Sequence, residues 1–477
     1  MLCKRLFIGL LLVTSVASCG GGSGSNTTVT APNPNTGASA PSTNNSSAGN
    51  SGDNSSTGGN NSSGGSGSGG NTSPGNGQQG SGPVMKPNSS IALNRNLDVL
   101  ILSSHASDQR ALRKEELDAS FELVKAVLTD NQIVNNYQVK YAQYQTAMSS
   151  TEMVNLFNQN NSESVYPESF ALANSEWIKR QQNIDLLNSA DIVVLRTSFN
   201  STNTAGAFWG AATGETVLWP NLKKINGLNQ KLVFLNSPID PTSAGYAYQH
   251  NAYLADNLKI TRFDRIFAHE FIHALGYGAH DNGVDIHQSE SFSERIKKDL
   301  AYADTVGSTL SYGDCFSVMG NADCSLMLSP SARELLGVNL DFVPVYQTGK
   351  VSLSRNQLLK VLLTESTGQT GHEKILTYLT FEPPVTAKYS QSLNGDVELA
   401  GVSHSLKANS DGYLVRIVKV DISHETTPNV VLIDAAPPLN DVAYTLKATH
   451  SIEIGGKVKV EFVSQSNNAA EFMVTYP

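Results

Sequence analysis

The sequence predicts an α+β or α/β domain, with a mostly parallel twisted sheet plus a histidine-bearing helix, followed by an all-β sandwich. Three observations predict it. Apolar strand-like runs alternate with helical periodicity from about residue 91 to residue 276. After about residue 347, short strand-like segments recur at close intervals. Residues 20 to about 83 are almost entirely Gly, Ser, Asn, Thr and Pro, and they lack the apolar side chains a core needs. A length of 477 residues suits two or three domains.

The elements follow in chain order. Lys4 and Arg5 precede "LFIGLLLV" (Leu6–Val13), an apolar run too short to span a bilayer as a mature helix. "VASC" (Val16–Cys19) then resembles the bacterial lipobox. That resemblance implies that residues 1–18 are a lipoprotein signal peptide and that Cys19 carries the lipid. An ordinary signal peptide cut nearby is the alternative. Gly20 stands where the Asp of inner-membrane lipoproteins would be, which implies the outer membrane or the cell surface. Residues 19–83 read as a disordered tether that would span about 45 Å as a flexible coil. No other stretch is apolar enough for a transmembrane helix.

Cysteine usage agrees with export. Cys3 leaves with the signal and Cys19 takes the lipid. Cys315 and Cys324 remain, and a disulfide between them is expected in an oxidising compartment, with two buried thiols as the alternative. The formal net charge is −9, from 33 basic and 42 acidic residues, with no basic block beyond the first few positions. That excludes the clustered Lys and Arg on which nucleic-acid binding depends.

The first folded domain is expected over 84–347. "LDVLIL" (Leu97–Leu102), "DIVVLR" (Asp191–Arg196) and "KLVFLN" (Lys231–Asn236) read as buried strands. Leu112, Leu117, Phe121, Val124 and Leu128 recur at helical spacing, which predicts a helix over roughly 108–129. "SAGYAYQHN" (Ser243–Asn251) reads as a more polar edge strand. The second domain, 348–477, reads as a sandwich of about eight or nine strands. Within it "SIEIGGKVKVEFV" (Ser451–Val463) is a hairpin, with Gly455 and Gly456 as a two-residue turn.

The chemistry concentrates in "HEFIHALGYGAHDNG" (His269–Gly283). Thr261, with Asp264 three residues on, reads as a capping box that starts the helix. His269 and His273 are four residues apart, so a helix projects both imidazoles from one face, one turn apart. There they can bind one metal ion. Glu270 is offset by about 100° and reaches beside such an ion. That suits a general base for a water that the metal activates. A third ligand cannot come from the same straight helix. Gly276 and Gly278 can adopt the left-handed backbone that ends it and lets the chain return under the ion.

Here the sequence resembles the metzincin zinc endopeptidases, whose signature is HExxHxxGxxH followed by a methionine turn. His269, Glu270, His273 and Gly276 match in register. The last position of the signature falls on Ala279, and His280 comes next. The resemblance therefore implies Zn2+ bound by His269, His273 and His280, with Asp281 and His287 as weaker candidates for the third ligand. "SVMG" (Ser317–Gly320) resembles the methionine turn, with Met319 beneath the histidines. Tyr312–Val338 as a whole is similar to the gametolysin-like branch. Cys315 and Cys324 flank this turn, and a bridge between them would pin it.

The expected function is a surface-tethered zinc endopeptidase acting on protein or glycoprotein substrates, with Glu270 as the catalytic residue. The edge strand near Tyr246–His250 would align an extended peptide by backbone pairing. The alternative is a non-catalytic adhesin or glycan-binding lipoprotein with a vestigial zinc site. His105, His250, His372, His404, His424 and His450 read as surface or packing residues.

Overall fold

The computed structural model describes residues 16–18, 96–134, 136–158, 175–198, 210–213, 217–218, 229–236, 241–242, 246, 261–283, 314, 316–320, 327–354, 356–367, 374–383, 395–399, 402–406, 412–421, 429–433, 445–454, 456–466 and 469–477. Cys19, the tether, His287, Cys315 and Cys324 lie outside them. Among the described residues no helix is long and apolar enough to cross a membrane.

The chain has mixed α/β content, with a largely parallel sheet first and further β-sheets after it. In space the first sheet runs Gly210–Thr213, Asn229–Asn236, Ile192–Ser198, Asn96–His105, Asn136–Gln145. The last four are mutually parallel, and Gly210–Thr213 is antiparallel to its neighbour. Val16–Ser18 pairs antiparallel with Gly210–Thr213 on its outer side.

The three strands read from sequence are the central ones, and their apolar continuity has a direct cause. Leu97, Val99 and Ile101 belong to the core on one face of the sheet. Leu100 and Leu102 belong to the core on the other, with Trp177, Ile178 and Leu187. A strand buried on both faces needs apolar residues at every position.

The first helix is Lys114–Asp130, starting later than the expected 108. The reason is electrostatic. The Glu116 carboxylate accepts from the backbone N–H of Arg113 at 2.7 Å and from both terminal nitrogens of Arg110 at 2.7 and 2.8 Å. This clamp fixes the first turn at Arg113. The helix packs on Arg262–Leu275 through Phe121, whose ring lies 5.9 Å from that of Phe267 and 5.6 Å from that of Phe271.

Of the expected edge strand Ser243–Asn251 only Tyr246 is among the described residues, so that expectation lies outside them. Among the described residues the flank of the first sheet beyond Asn229–Asn236 ends in the antiparallel strands Gly210–Thr213 and Val16–Ser18, and the histidine helix neighbours Gly210–Thr213.

Beyond residue 348 there are eleven described strands, more than the eight or nine expected. They form a sandwich and a separate ribbon, Gly395–Leu399 with Val402–Leu406. The outer sheet is ordered Gly349–Ser354, Ala469–Thr475, Val458–Gln465, Ser451–Ile454. The inner sheet is ordered Asn429–Ile433, Tyr413–Asp421, Lys374–Glu382, Leu358–Thr367. Tyr413, Phe462 and Phe472 meet between the sheets at ring separations of 4.9 to 5.1 Å. The predicted hairpin forms, but Ile454 faces Val458. Its turn therefore takes in Lys457 as well as Gly456, and Gly455 lies outside the described residues.

The inner sheet also takes in two strands from earlier in the chain. Phe342–Val345 adds parallel to Leu358–Thr367, and Asp281–Gly283 adds parallel to Asn429–Ile433. Its second face is covered too. Leu376, Tyr378, Val418, Val420 and Val430 join the same core as the histidine helix. "YLVRIVKV" and "NVVLI" are therefore apolar for the same reason as the central strands.

Candidate metal centre

The helix Arg262–Leu275 is built as its sequence requires. Thr261 Oγ1 accepts from Asp264 N at 3.3 Å, and Asp264 Oδ2 accepts from Thr261 N at 3.0 Å. The helix ends at Gly276, whose φ of 116° lies where L side chains are strained. Phe263, Phe267, Phe271, Ile272 and Leu275 are buried on several sides of it. The helix therefore cannot rotate to show its histidines elsewhere without exposing aromatic surface, at about 1.5–3 kcal/mol per side chain.

His269 and His273 on this helix come together with His280 from beyond its end. Nε2 of His273 lies 3.0 Å from Nε2 of His269 and 3.1 Å from Nε2 of His280. The chain returns through Gly276–Ala279 with one residue more than the HxxGxxH spacing, and His280 rather than Ala279 completes the group. Ala279 is buried in the core instead.

Backbone carbonyls set the state of the two helical imidazoles. His269 Nδ1 is 2.7 Å from the Val318 oxygen, and His273 Nδ1 is 2.6 Å from the Tyr277 oxygen. A carbonyl oxygen only accepts, so each Nδ1 carries the proton. Burial makes these rings neutral. It lowers His269 to about 4, and it lowers His273 well below the usual range, helped by the neighbouring His269 and His280. Burial, with His269 beside it, also lowers His280 to about 3. In a neutral ring protonated at Nδ1, Nε2 holds a bare lone pair. Two such lone pairs 3.0 Å apart repel and cannot hydrogen-bond to each other.

A shared cation removes that conflict. Tetrahedral nitrogens at about 2.0–2.1 Å from an ion sit about 3.3 Å apart, close to the spacing found here. The donor set, the tautomers and the distances fit a zinc-type ion. The three histidines are a group able to hold a metal.

The remaining expected residues are placed as follows. Glu270 is fully buried, next to His269 on the helix. The Asp281 carboxylate is engaged by the Tyr277 hydroxyl at 2.5 Å and by Ser317, and Asp281 is not one of the clustered groups. Burial and the nearby Asp314 raise it to about 6. Met319 is buried in the core that includes the helix, and its carbonyl accepts from Asp281 N at 2.9 Å. Gly320 is required where it stands, because a Cβ there would meet the Asp314 carbonyl oxygen at 2.0 Å. The following helix, Pro330–Leu335, is capped by Ser329 and ends before Gly337 at a φ of 92°.

Sequence reasoning missed Tyr277, Asp314, Glu382 and Arg416, which surround this loop. Arg416 carried a signal, being a charge inside an apolar run.

Metalloproteinase-II from Bacteroides fragilis, a solved structure, is similar to this chain at 14% identity and a TM-score of 0.23, over 41% of this chain and 48% of that one. The match thus spans about half of that structure's length. No family profile and no curated protein matches the chain.

Proposed function

We propose that this protein is a zinc-dependent endopeptidase of metzincin type, held at the bacterial cell surface by a lipid on Cys19. The observation that carries the reading is the convergence of three neutral imidazoles, two of them locked by backbone carbonyls, beside the carboxylate-bearing residue Glu270. A structural site has no use for an adjacent base. His269, His273 and His280 would hold the ion, and bound zinc would supply Lewis acidity to the scissile carbonyl and the attacking water. Glu270 would take the proton from that water and deliver it to the leaving amine.

The gametolysin-like assignment rests on "SVMG" and the helix after it, and the 84–347 and 348–477 division on the sequence texture. Beside the expected edge at Tyr246–His250, backbone pairing of a peptide substrate would fall to Gly210–Thr213. That edge accepts an extended segment antiparallel, as Val16–Ser18 does, and removal of residues 1–18 would free it.

The test compares cleavage of a panel of denatured proteins by the purified chain and by Glu270→Gln, each with and without a chelator. Chelator-sensitive cleavage by the wild type alone supports the peptidase. Absence of cleavage by the zinc-loaded wild type favours the adhesin or glycan-binding protein. For the anchor, Cys19→Ser is expected to leave the membrane fraction.

A further inference from the structure

Two of the three histidines are placed by their own helix. The third is placed by chain that follows Gly276, and that chain is held from the C-terminal sheet. Asp281, next to His280, donates its backbone N–H to Met319 O at 2.9 Å and accepts from Asp314 N at 3.3 Å. Asp281, Asn282 and Gly283 run in register with Val430, Val431 and Leu432.

Asp314 is the hub. Its carboxylate accepts from Phe316 N at 2.8 Å, from Arg416 Nε at 2.6 Å and from Arg416 Nη2 at 3.3 Å. Arg416 also pairs through Nη1 with Glu382. The side chains of Arg416 and Asp314 are 0% exposed and that of Glu382 is 4% exposed. Arg416 and Glu382 lie on adjacent strands of the inner sheet. Apolar residues could glue that sheet to the domain at lower desolvation cost. A guanidinium fork offers direction: it fixes the plane of the carboxylate it grips. The carboxylate it grips belongs to the residue whose backbone touches Asp281 and whose loop carries Val318 and Met319.

We propose that Arg416 is a positioning residue of the metal centre: acting through Asp314, with Glu382 and the strand Asn429–Ile433, it holds Asp281–Gly283 so that His280 reaches the ion shared by His269 and His273. This rests on the reading of the three histidines as a metal site. The C-terminal sheet is then part of the centre rather than an appendage to it.

The test uses the full chain and the variants Arg416→Gln, Arg416→Lys and Tyr277→Phe. The last removes only the hydroxyl that donates to Asp281. Lys350→Ala, in the exposed pair with Glu471, is the control. Zinc affinity is read by competition with a chromophoric chelator, and ligand geometry from the visible spectrum of the Co2+ form. Folding of each metal-free variant is checked by circular dichroism. Arg416→Gln and Tyr277→Phe are expected to bind zinc about ten-fold or more weakly and to alter the Co2+ spectrum, with Lys350→Ala unchanged. Arg416→Lys, keeping the charge without the fork, is expected to fall between. A folded Arg416 variant with wild-type affinity and spectrum overturns the proposal. So does failure of both Arg416 variants to fold, which would make the residue a stability element. A wild-type chain that binds no zinc defeats the metal-site reading instead.

Discussion

The carbonyl oxygen of Val318 accepts a hydrogen bond from Nδ1 of His269 across 2.7 Å. The turn that carries Met319 therefore does more than fill space under the helix. It selects the tautomer of a ring in the candidate metal group and turns the lone pair of Nε2 toward His273. The carbonyl of Tyr277, one residue beyond the glycine that ends the helix, does the same for His273 at 2.6 Å.

Acid should weaken the metal-free protein in a defined window. His269 titrates at about 4 when folded, against an ordinary value of 6.5. The unfolded chain thus takes up the proton first, and stability is lost as pH falls from about 6.5 toward 4. His269 alone costs on the order of 2 kcal/mol between pH 7.5 and pH 5. Urea unfolding of chelator-treated protein at the two pH values measures it, and equal midpoints would refute the neutral-imidazole assignment.

Gly320→Ala should disturb the methionine-bearing turn. The new methyl would meet backbone, not a flexible side chain, at 2.0 Å. The chain must shift, at a cost of about 1–3 kcal/mol or more. A lowered thermal midpoint with weakened zinc binding is expected. An unchanged midpoint would mean that the turn is not packed against Asp314 as described.

Gly276→Ala should cost about 1–2 kcal/mol, because its φ of 116° is open to glycine alone. Denaturant unfolding gives the figure. A stabilising effect would show that the helix ends elsewhere.

Glu270→Gln should keep one zinc per chain and a native circular dichroism spectrum. The proposed peptidase activity should fall by about 10²–10⁴-fold, the usual contribution of a general base. Retained activity would remove Glu270 from that role.

The legible parts of this protein are those in which local pattern and tertiary role coincide. The central strands carry continuous apolar runs, such as Val99–Leu102, Ile192–Leu195 and Leu232–Leu235, because both faces are covered, and the histidine helix announces itself by Thr261, Asp264 and Gly276. Asn136–Gln145 was missed because it is an edge strand with alternate residues exposed. "DNG" at Asp281–Gly283 has the composition of a turn, and only its neighbour Asn429–Ile433 makes it a strand. The ion pair of Arg416 with Asp314 joins residues 102 positions apart, and no local pattern encodes it. A charge in the middle of "YLVRIVKV" signals that a buried partner exists without saying where.

Zinc stoichiometry of the purified chain tests the central claim most directly. Metal-free protein titrated with zinc at pH 7.5 should take up one tightly bound ion per chain. That binding should be lost in His273→Ala and strongly weakened in His280→Ala. No uptake by the wild type, or uptake that survives replacement of all three histidines, would contradict the account.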